Sequence, residues 1–412
     1  MAAPNLVTNS YPAVWIKSLN EKIEEVDVLM KKWLWAVAVA LMMTLTTRAN
    51  DGVFYVNGNH LVPVQETDIA LTKEVLTISL CDDGYAMVDV QYVLMNRGRE
   101  KTVTMGFEAG APYNDEAAFS PQGIHPYIND FTVVMNDEQL SFMNAVVKTA
   151  YEEECDFQPL NLKQWKSYDE VKMRNGEELP NNSLLYNTEK DSLIDFAYAY
   201  YFVARFKPGR NTIHHTYRYL TSYGVGRTFE VPYRLMPAMR WANRQIDDFT
   251  LRIEAKNTAK HFFVEDSIFA QAPFVVTEGV GKMKKSLYYD DLFTEIALRN
   301  GTVEWHAENF RPKADMNIQS AERMHYDDFK LGTFYDRSDR YMPGSFILEN
   351  DKSEEQHRIL TNLPYANRGY VFKDKKLQKY FSQFFWYMPD PSWQPDTRDF
   401  TPREWRLINK GE

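Results

Sequence analysis

Apolar and polar residues alternate along much of the chain between residues 74 and 320, the period-two pattern of strands with one buried face. In "EVLTISLCDDGYAMVDVQYVL" (74–94) the alternation runs on both sides of Asp82-Asp83-Gly84, a tight-turn sequence, and predicts a β-hairpin. "KTVTMGFEA" (101–109) predicts a third strand, and "FTVVMNDEQLSFMNAVVKTA" (131–150) repeats the grammar around an Asn136-Asp137 turn. "IDFAYAYYFVARF" and "NTIHHTYRYL" flank Lys207-Pro208-Gly209-Arg210 as a further strand–turn–strand unit. "DDFTLRIEA", "HFFVED" and "GTVEWHAENFRP" carry the pattern to about residue 320, with Asn57-Gly58 and Asn300-Gly301 as additional turn signals. Strands at this spacing predict an antiparallel β-sandwich body over residues 50–335. A polar, charged stretch near 151–191 interrupts the alternation and reads as an insertion with one or two helices.

The period then lengthens. Residues 336–356 read as a linker, and 357–412 as a small α-helical module. "SEEQHRILTNL" is helical, with Ser353 as its N-cap, and Asp374 caps "KKLQKYFSQF", where Leu377, Tyr380 and Phe381 share one face. Thr401-Pro402-Arg403-Glu404 is a capping box with proline at the first helical position.

The other end of the chain carries a different signal. "MKKWLWAVAVALMMTLTTRAND" (30–51) has two lysines, an apolar run of thirteen residues and a small-residue exit at Thr47-Arg48-Ala49, the three parts of a secretory signal peptide. Thirteen helical residues span about 20 Å, short of the roughly 30 Å of bilayer hydrocarbon, so cleavage after Ala49 is expected rather than anchoring. Residues 1–29 are acidic just ahead of the lysines and read as an extension in front of a true start at Met30.

Composition narrows the partners. A net charge of −10 suits phosphate backbones poorly, which argues against nucleic acid. The 25 tyrosines fit many strands with half-exposed faces, and aromatic surfaces also suit glycan stacking. Cys81 and Cys155 would close a loop of about 74 residues if they paired in an oxidising compartment. His214 and His215 are strand neighbours on opposite faces and cannot chelate one metal, and no other histidine has zinc-site spacing, so neither metal nor cofactor is expected. The acidic pairs Asp247-Asp248, Asp290-Asp291 and Asp327-Asp328 lack the geometry of a glycosidase, whose two carboxyls face each other across roughly 5–9 Å. There is no G-x-S-x-G elbow, and Gly224-Val225-Gly226-Arg227 lacks the rest of a phosphate loop. No catalytic residue is assigned.

The tail "PYANRGYVFKDKKLQKYFSQFFWYMPDPSW" (364–393) resembles the YARHG domain, an extracellular bacterial module. The family's aromatic positions fall on Phe372, Tyr380, Phe381, Trp386 and Tyr387, and its proline on Pro389. The eponymous motif reads Tyr365-Ala366-Asn367-Arg368-Gly369 here, with the third and fourth letters changed, and Pro364 stands where the family continues a helix. The body is similar, more loosely, to secreted bacterial proteins of a domain family without assigned function, through "ETDIALTKEVLTISL", "VDVQYVLMNRGREKTVTMGFE", "HTYRYLTSYGVG" and "VEWHAENFRPKAD".

These readings converge on an exported periplasmic or extracellular envelope protein, a non-enzymatic scaffold or binding protein whose partner is a glycan, a peptide or another protein. A hydrolase acting on envelope glycan or peptide is the alternative, as is a cell-wall glycan-binding module. Candidate binding residues are Tyr365, Arg368, Trp386, Tyr387 and Trp393, with Trp405 beside them; the same rings, in a module of about 60 residues, also suit its core.

Overall fold

The computed structural model describes residues 62–63, 68–112, 118–148, 159–168, 170–171, 183–187, 189–222, 229–288, 291–320, 354–396, 398 and 400–409. The N-terminal extension, the predicted leader, most of the predicted linker and Cys155 lie outside the described residues. The described strands are β1 (Val62–Pro63), β2 (Ile69–Leu80), β3 (Tyr85–Asn96), β4 (Lys101–Gly110), β5 (Ile128–Met135), β6 (Glu138–Gln139), β7 (Met143–Lys148), β8 (Trp165–Lys166) and β9 (Leu184–Asn187). They continue with β10 (Ser192–Phe206), β11 (Gly209–Leu220), β12 (Glu230–Tyr233), β13 (Ile246–Ala255), β14 (Lys260–Glu265), β15 (Val275–Tyr288), β16 (Asp291–Phe310) and β17 (Met316–Ser320). Three helices follow: α1 (Glu354–Asn367), α2 (Lys375–Ser382) and α3 (Pro402–Ile408). The chain is mainly β with a small helical C-terminal part.

Among the described residues, two sheets form the body. The smaller runs β1-β4-β10-β9-β8, with β7 also on β10; the larger runs β12-β17-β14-β16-β13-β2-β3-β11-β5-β6, with β15 on β16. Their ladders are antiparallel except β13 on β2, which is parallel. Phe107 of β4 meets Phe131, His215 and Tyr217 of the larger sheet at centroid distances of 4.8–5.4 Å, and Tyr200 of β10 stacks on Phe131 at 4.7 Å. The two sheets are therefore layers over one apolar core.

Local turn chemistry is obeyed at two of the expected sites, while Asn57-Gly58 lies outside the described residues. Gly84 closes the β2–β3 hairpin at φ +85°, and Asn136 and Asp137 both take positive φ between β5 and β6. Lys207-Pro208-Gly209-Arg210 acts differently: β10 and β11 belong to different sheets, so the turn carries the chain from one layer to the other. Buried Asn96 and Asn211 hold that crossing by hydrogen bonds to the Phe206, Lys207 and Gly209 carbonyls. Within the 151–191 stretch, the described residues form a single 3₁₀ turn at Leu162–Gln164 and two short strands, β8 and β9.

Asn300-Gly301 is not a hairpin turn. It lies inside the 20-residue β16, where Asn300 has φ +47° and the β15–β16 register shifts. A Cβ on Gly301 would come 2.2 Å from the Glu278 carbonyl oxygen, and one on Gly279 would come 2.0 Å from that of Asn300. The two glycines let the strands touch through their backbones, and the result is a bulge. Beyond it, β16 trades one neighbour for another: its first half pairs with β14 and its second half with β13.

Candidate functional site

The first half of β16 is buried without interruption from Phe293 to Arg299. One face, Ile296 and Leu298, belongs to the sandwich core; on the other, Ala297 packs into the second hydrophobic cluster, built mainly from the helical module. The module thus sits on the back of this strand. Beneath it His261 of β14 and Glu295 of β16, both fully buried, are joined Nε2 to Oε1 at 2.7 Å. Lys284 of β15 approaches the other Glu295 oxygen at 3.5 Å, and its ammonium lies 4.8 Å from the Phe385 ring centre. Phe385 also covers the His261 imidazole at 5.5 Å, so the His261–Glu295 pair is roofed by the module itself. Lys282 donates to the Tyr387 carbonyl at 3.0 Å, and burial pulls its ammonium below the ordinary lysine range. Arg299, 6% exposed, reaches the Met388 carbonyl at 3.4 Å and the Asp390 carboxylate at 3.5 Å.

The motif Tyr365-Ala366-Asn367-Arg368-Gly369 forms the joint between module and sheet. Ala366 is in the module core, and the Asn367 carbonyl accepts the Ala259 N–H at 3.0 Å from the turn between β13 and β14. That turn in turn holds Asp82 of the β2–β3 hairpin through Lys260 (3.0 Å) and Thr258. Burial alone would raise the Asp82 carboxyl, but Lys260, the two hydrogen bonds and the more distant Arg368 outweigh it and hold the group below the usual carboxylate range. Arg368 itself is interior. Its two Nη groups form a fork on the Glu404 carboxylate at 2.5 and 3.0 Å, one of them also donates to the Pro364 carbonyl, and the guanidinium covers Phe400 at 4.4 Å. Glu404 is the third residue of α3 and closes the capping box with Thr401, so Arg368 ties that helix to the end of α1. Gly369 takes φ +83°, and a Cβ there would come 2.5 Å from the Met388 carbonyl oxygen and 2.9 Å from Arg299. The motif glycine is where the backbone of one module segment touches another.

Helix α1 continues through Pro364 to Asn367, and Asp374 caps α2 by accepting from the Lys376 and Leu377 N–H groups. Around α2, Phe372 stacks on Phe381 at 5.0 Å, Trp386 on Phe384 at 5.5 Å, and the Tyr387 hydroxyl donates to the Tyr370 carbonyl at 2.6 Å. Of the five singled-out binding residues, Arg368, Trp386 and Tyr387 are therefore interior, where they supply cohesion. Tyr365 and Trp393 are partly exposed, and Trp405 is 36% exposed. These three are linked by two rings that sequence reasoning passed over. Trp393, Tyr370, Tyr365, Phe400 and Trp405 form a chain of edge-to-face or tilted contacts, each 5.1–6.1 Å from the next. Tyr370 and Phe400 carry no periodic signal of their own; only the fold brings them into this ridge.

His214 and His215 point to opposite faces, the first exposed on Asp89 at 2.9 Å, the second buried with Nδ1 3.2 Å from the Thr132 carbonyl oxygen. His125 is buried with Nε2 3.0 Å from the Gly110 carbonyl oxygen, and burial pulls its pKa down to about 3. Asp248 is shared by Lys73 at 2.7 Å and His306 at 3.0 Å. Among the described residues no three of His, Cys, Asp and Glu gather as a metal site. Cys81 is half-buried, and burial, then Asp83, push its thiol up; its proposed partner Cys155 is outside the described residues. No helix among the described residues is long and apolar enough to cross a membrane.

No curated protein matches the chain. Among solved structures it is similar to a candidate nutrient binding protein from Legionella pneumophila subsp. pneumophila, with 19% identity and a TM-score of 0.44 over 88% of this chain and 100% of that one. It is also similar to an M1 zinc metallopeptidase from Deinococcus radiodurans (7% identity, TM-score 0.24, 63% of this chain and 43% of that one). A third likeness is to baculovirus P35 (9% identity, TM-score 0.23, 63% and 98%). Residues 345–411 match the YARHG domain. The chain carries a C-terminal YARHG domain behind a β-rich body.

Proposed function

We propose that this is an exported cell-envelope protein that binds rather than catalyses, with its YARHG domain as the recognition element and its β body as the rigid mount. The observation that carries the reading is the division of labour among the module's aromatic residues. Trp386, Tyr387, Phe372 and Phe381 fill its interior, while Trp393, Tyr370, Tyr365 and Trp405 line a ridge that keeps ring surface in contact with solvent. A small module needs its large side chains for cohesion, so rings held partly outside the core are free to meet a ligand. The buried Arg368–Glu404 fork and the Gly369 contact keep that ridge in one geometry, which lowers the ordering cost of binding. A glycan strand of the cell wall fits such a surface, because sugar rings present apolar C–H faces to aromatic rings and keep their hydroxyls in water.

The test is a pull-down of the purified protein lacking residues 1–49 on isolated sacculi. Binding that falls at least about tenfold in a Trp393→Ala, Trp405→Ala variant with unchanged thermal stability supports the reading; truncating two stacking rings removes roughly that much affinity. Equal binding by the variant, or turnover of envelope glycan by the parent protein, overturns it.

A further inference from the structure

The β14–β15 loop (residues 266–274) and the β15–β16 residues Lys285, Asp291 and Leu292 line an open hollow of about 560 Å³, remote in sequence from the module. Its floor is Phe269, 3% exposed, and its walls include Ala270, Ala272, Pro273 and Leu292. The floor is rigid. Phe269 stands edge-on to Trp305 at 5.0 Å, and the Trp305 indole N–H is shared between the Phe269 and Ala272 carbonyls at 3.0 and 2.9 Å. The Asp266 N–H donates to the Leu292 carbonyl at 2.9 Å and ties the loop to the hairpin. An apolar strip continues beyond the hollow: Leu287 and Leu292 face each other across the hairpin and are 71% and 46% exposed. The paired leucines extend the apolar wall of the hollow along the hairpin.

The charges at the rim select the partner. Lys285 is occupied, paired with Asp266 and 2.9 Å from the Thr294 hydroxyl. Glu265 and Asp291 also line the hollow, and neither has a cationic partner among the described residues; Glu265 accepts only the Ser267 hydroxyl. We propose that this hollow is a docking site for a segment of another protein, which seats one apolar side chain on Phe269 and places basic residues beside it opposite Glu265 and Asp291. The strip of Leu287 and Leu292 lengthens the contact beyond what a small molecule would cover.

The test uses methyl-labelled protein lacking residues 1–49, titrated with three capped tripeptides: Lys-Leu-Lys, Glu-Leu-Glu and Lys-Gly-Lys. The expected result is saturable movement of the Ala270, Ala272 and Leu292 methyl signals with Lys-Leu-Lys, in the millimolar range for one anchor. Glu-Leu-Glu binds about fivefold or more weakly, since exposed charge pairs are individually small, and Lys-Gly-Lys leaves the signals in place. Ala270→Trp, which fills the hollow from its rim, abolishes the movement, and Asp291→Lys reverses the charge preference. No movement with Lys-Leu-Lys, or equal binding of all three peptides, overturns the proposal. So does a concentration-dependent dimer that Leu287→Ser dissolves, which would assign the surface to a second copy of this chain.

Discussion

Replacing Arg368 by methionine is the sharpest perturbation of the joint between the module's helices. The fork it makes on Glu404 has side chains only 3% and 9% exposed, so the substitution leaves a carboxylate inside the module with its main cation gone. Removing one partner of a buried pair costs about 3–5 kcal/mol, against about 0–1 kcal/mol for a surface pair. Methionine retains the apolar bulk over Phe400, which keeps the electrostatic loss separate from a cavity. The loss is local: the module has its own hydrophobic cluster, to which the body contributes, among the described residues, only Ala259 and Ala297. Hydrogen exchange should therefore accelerate by about two to nearly four orders of magnitude in α3 and residues 365–372, with β2, β3 and β11 unchanged. A double Arg368→Met, Glu404→Met variant should recover most of the loss, because an apolar replacement of both partners leaves no orphaned charge. A single-variant cost below about 1 kcal/mol would refute the reasoning, since that is the worth of a solvated pair. A double variant as damaged as the single one would refute it too.

Other outcomes follow from the same contacts. Gly369→Ala should lose about 2–4 kcal/mol by denaturant midpoint, from a left-handed backbone plus the Met388 and Arg299 overlaps. Gly84→Ala, at nearly the same φ but with nothing within 4 Å, should lose only the backbone part, about 1–2 kcal/mol. Because His125 is neutral when folded, with its pKa pulled down to about 3, the unfolded chain binds the extra proton below about pH 6.5. Stability should be full above that pH and fall by about 1.4 kcal/mol per unit toward pH 3; His125→Phe flattens this slope in pH-resolved melts. Asp82, held below the ordinary carboxylate range, contributes stability that is present above its unfolded pKa and lost as pH falls through the lower folded value. Carboxyl titration by NMR should show Lys260→Met raising that pKa, and an unmoved titration would contradict the assigned ion pair.

Contacts close along the chain were readable before the fold. The β2–β3 hairpin at Asp82-Asp83-Gly84, the Asp374 cap and the Thr401–Glu404 box each depend on residues within a few positions of one another. What escaped was set by distant partners. Glu295 and Arg299 in "TEIALR" of β16 are buried because the module covers a face that would otherwise be wet. Glu404 was legible as a capping residue but not as the counter-ion of Arg368, 36 positions away. Asn300-Gly301 has hairpin chemistry, and only Gly279 opposite it converts the same backbone freedom into a bulge. The tail rings were legible as a set, but which of them face solvent depends on how α1 and α3 close around Arg368.

The central claim, that the ridge recognises while the motif and inner rings hold it in place, is tested most directly by indole N–H signals in a titration with soluble cell-wall glycan fragments. Trp393 and Trp405 should move and saturate together while Trp241, Trp305 and Trp386, each at most 1% exposed, stay fixed. Movement of the buried indoles with Trp393 and Trp405 unmoved would contradict it, as would no movement at any concentration.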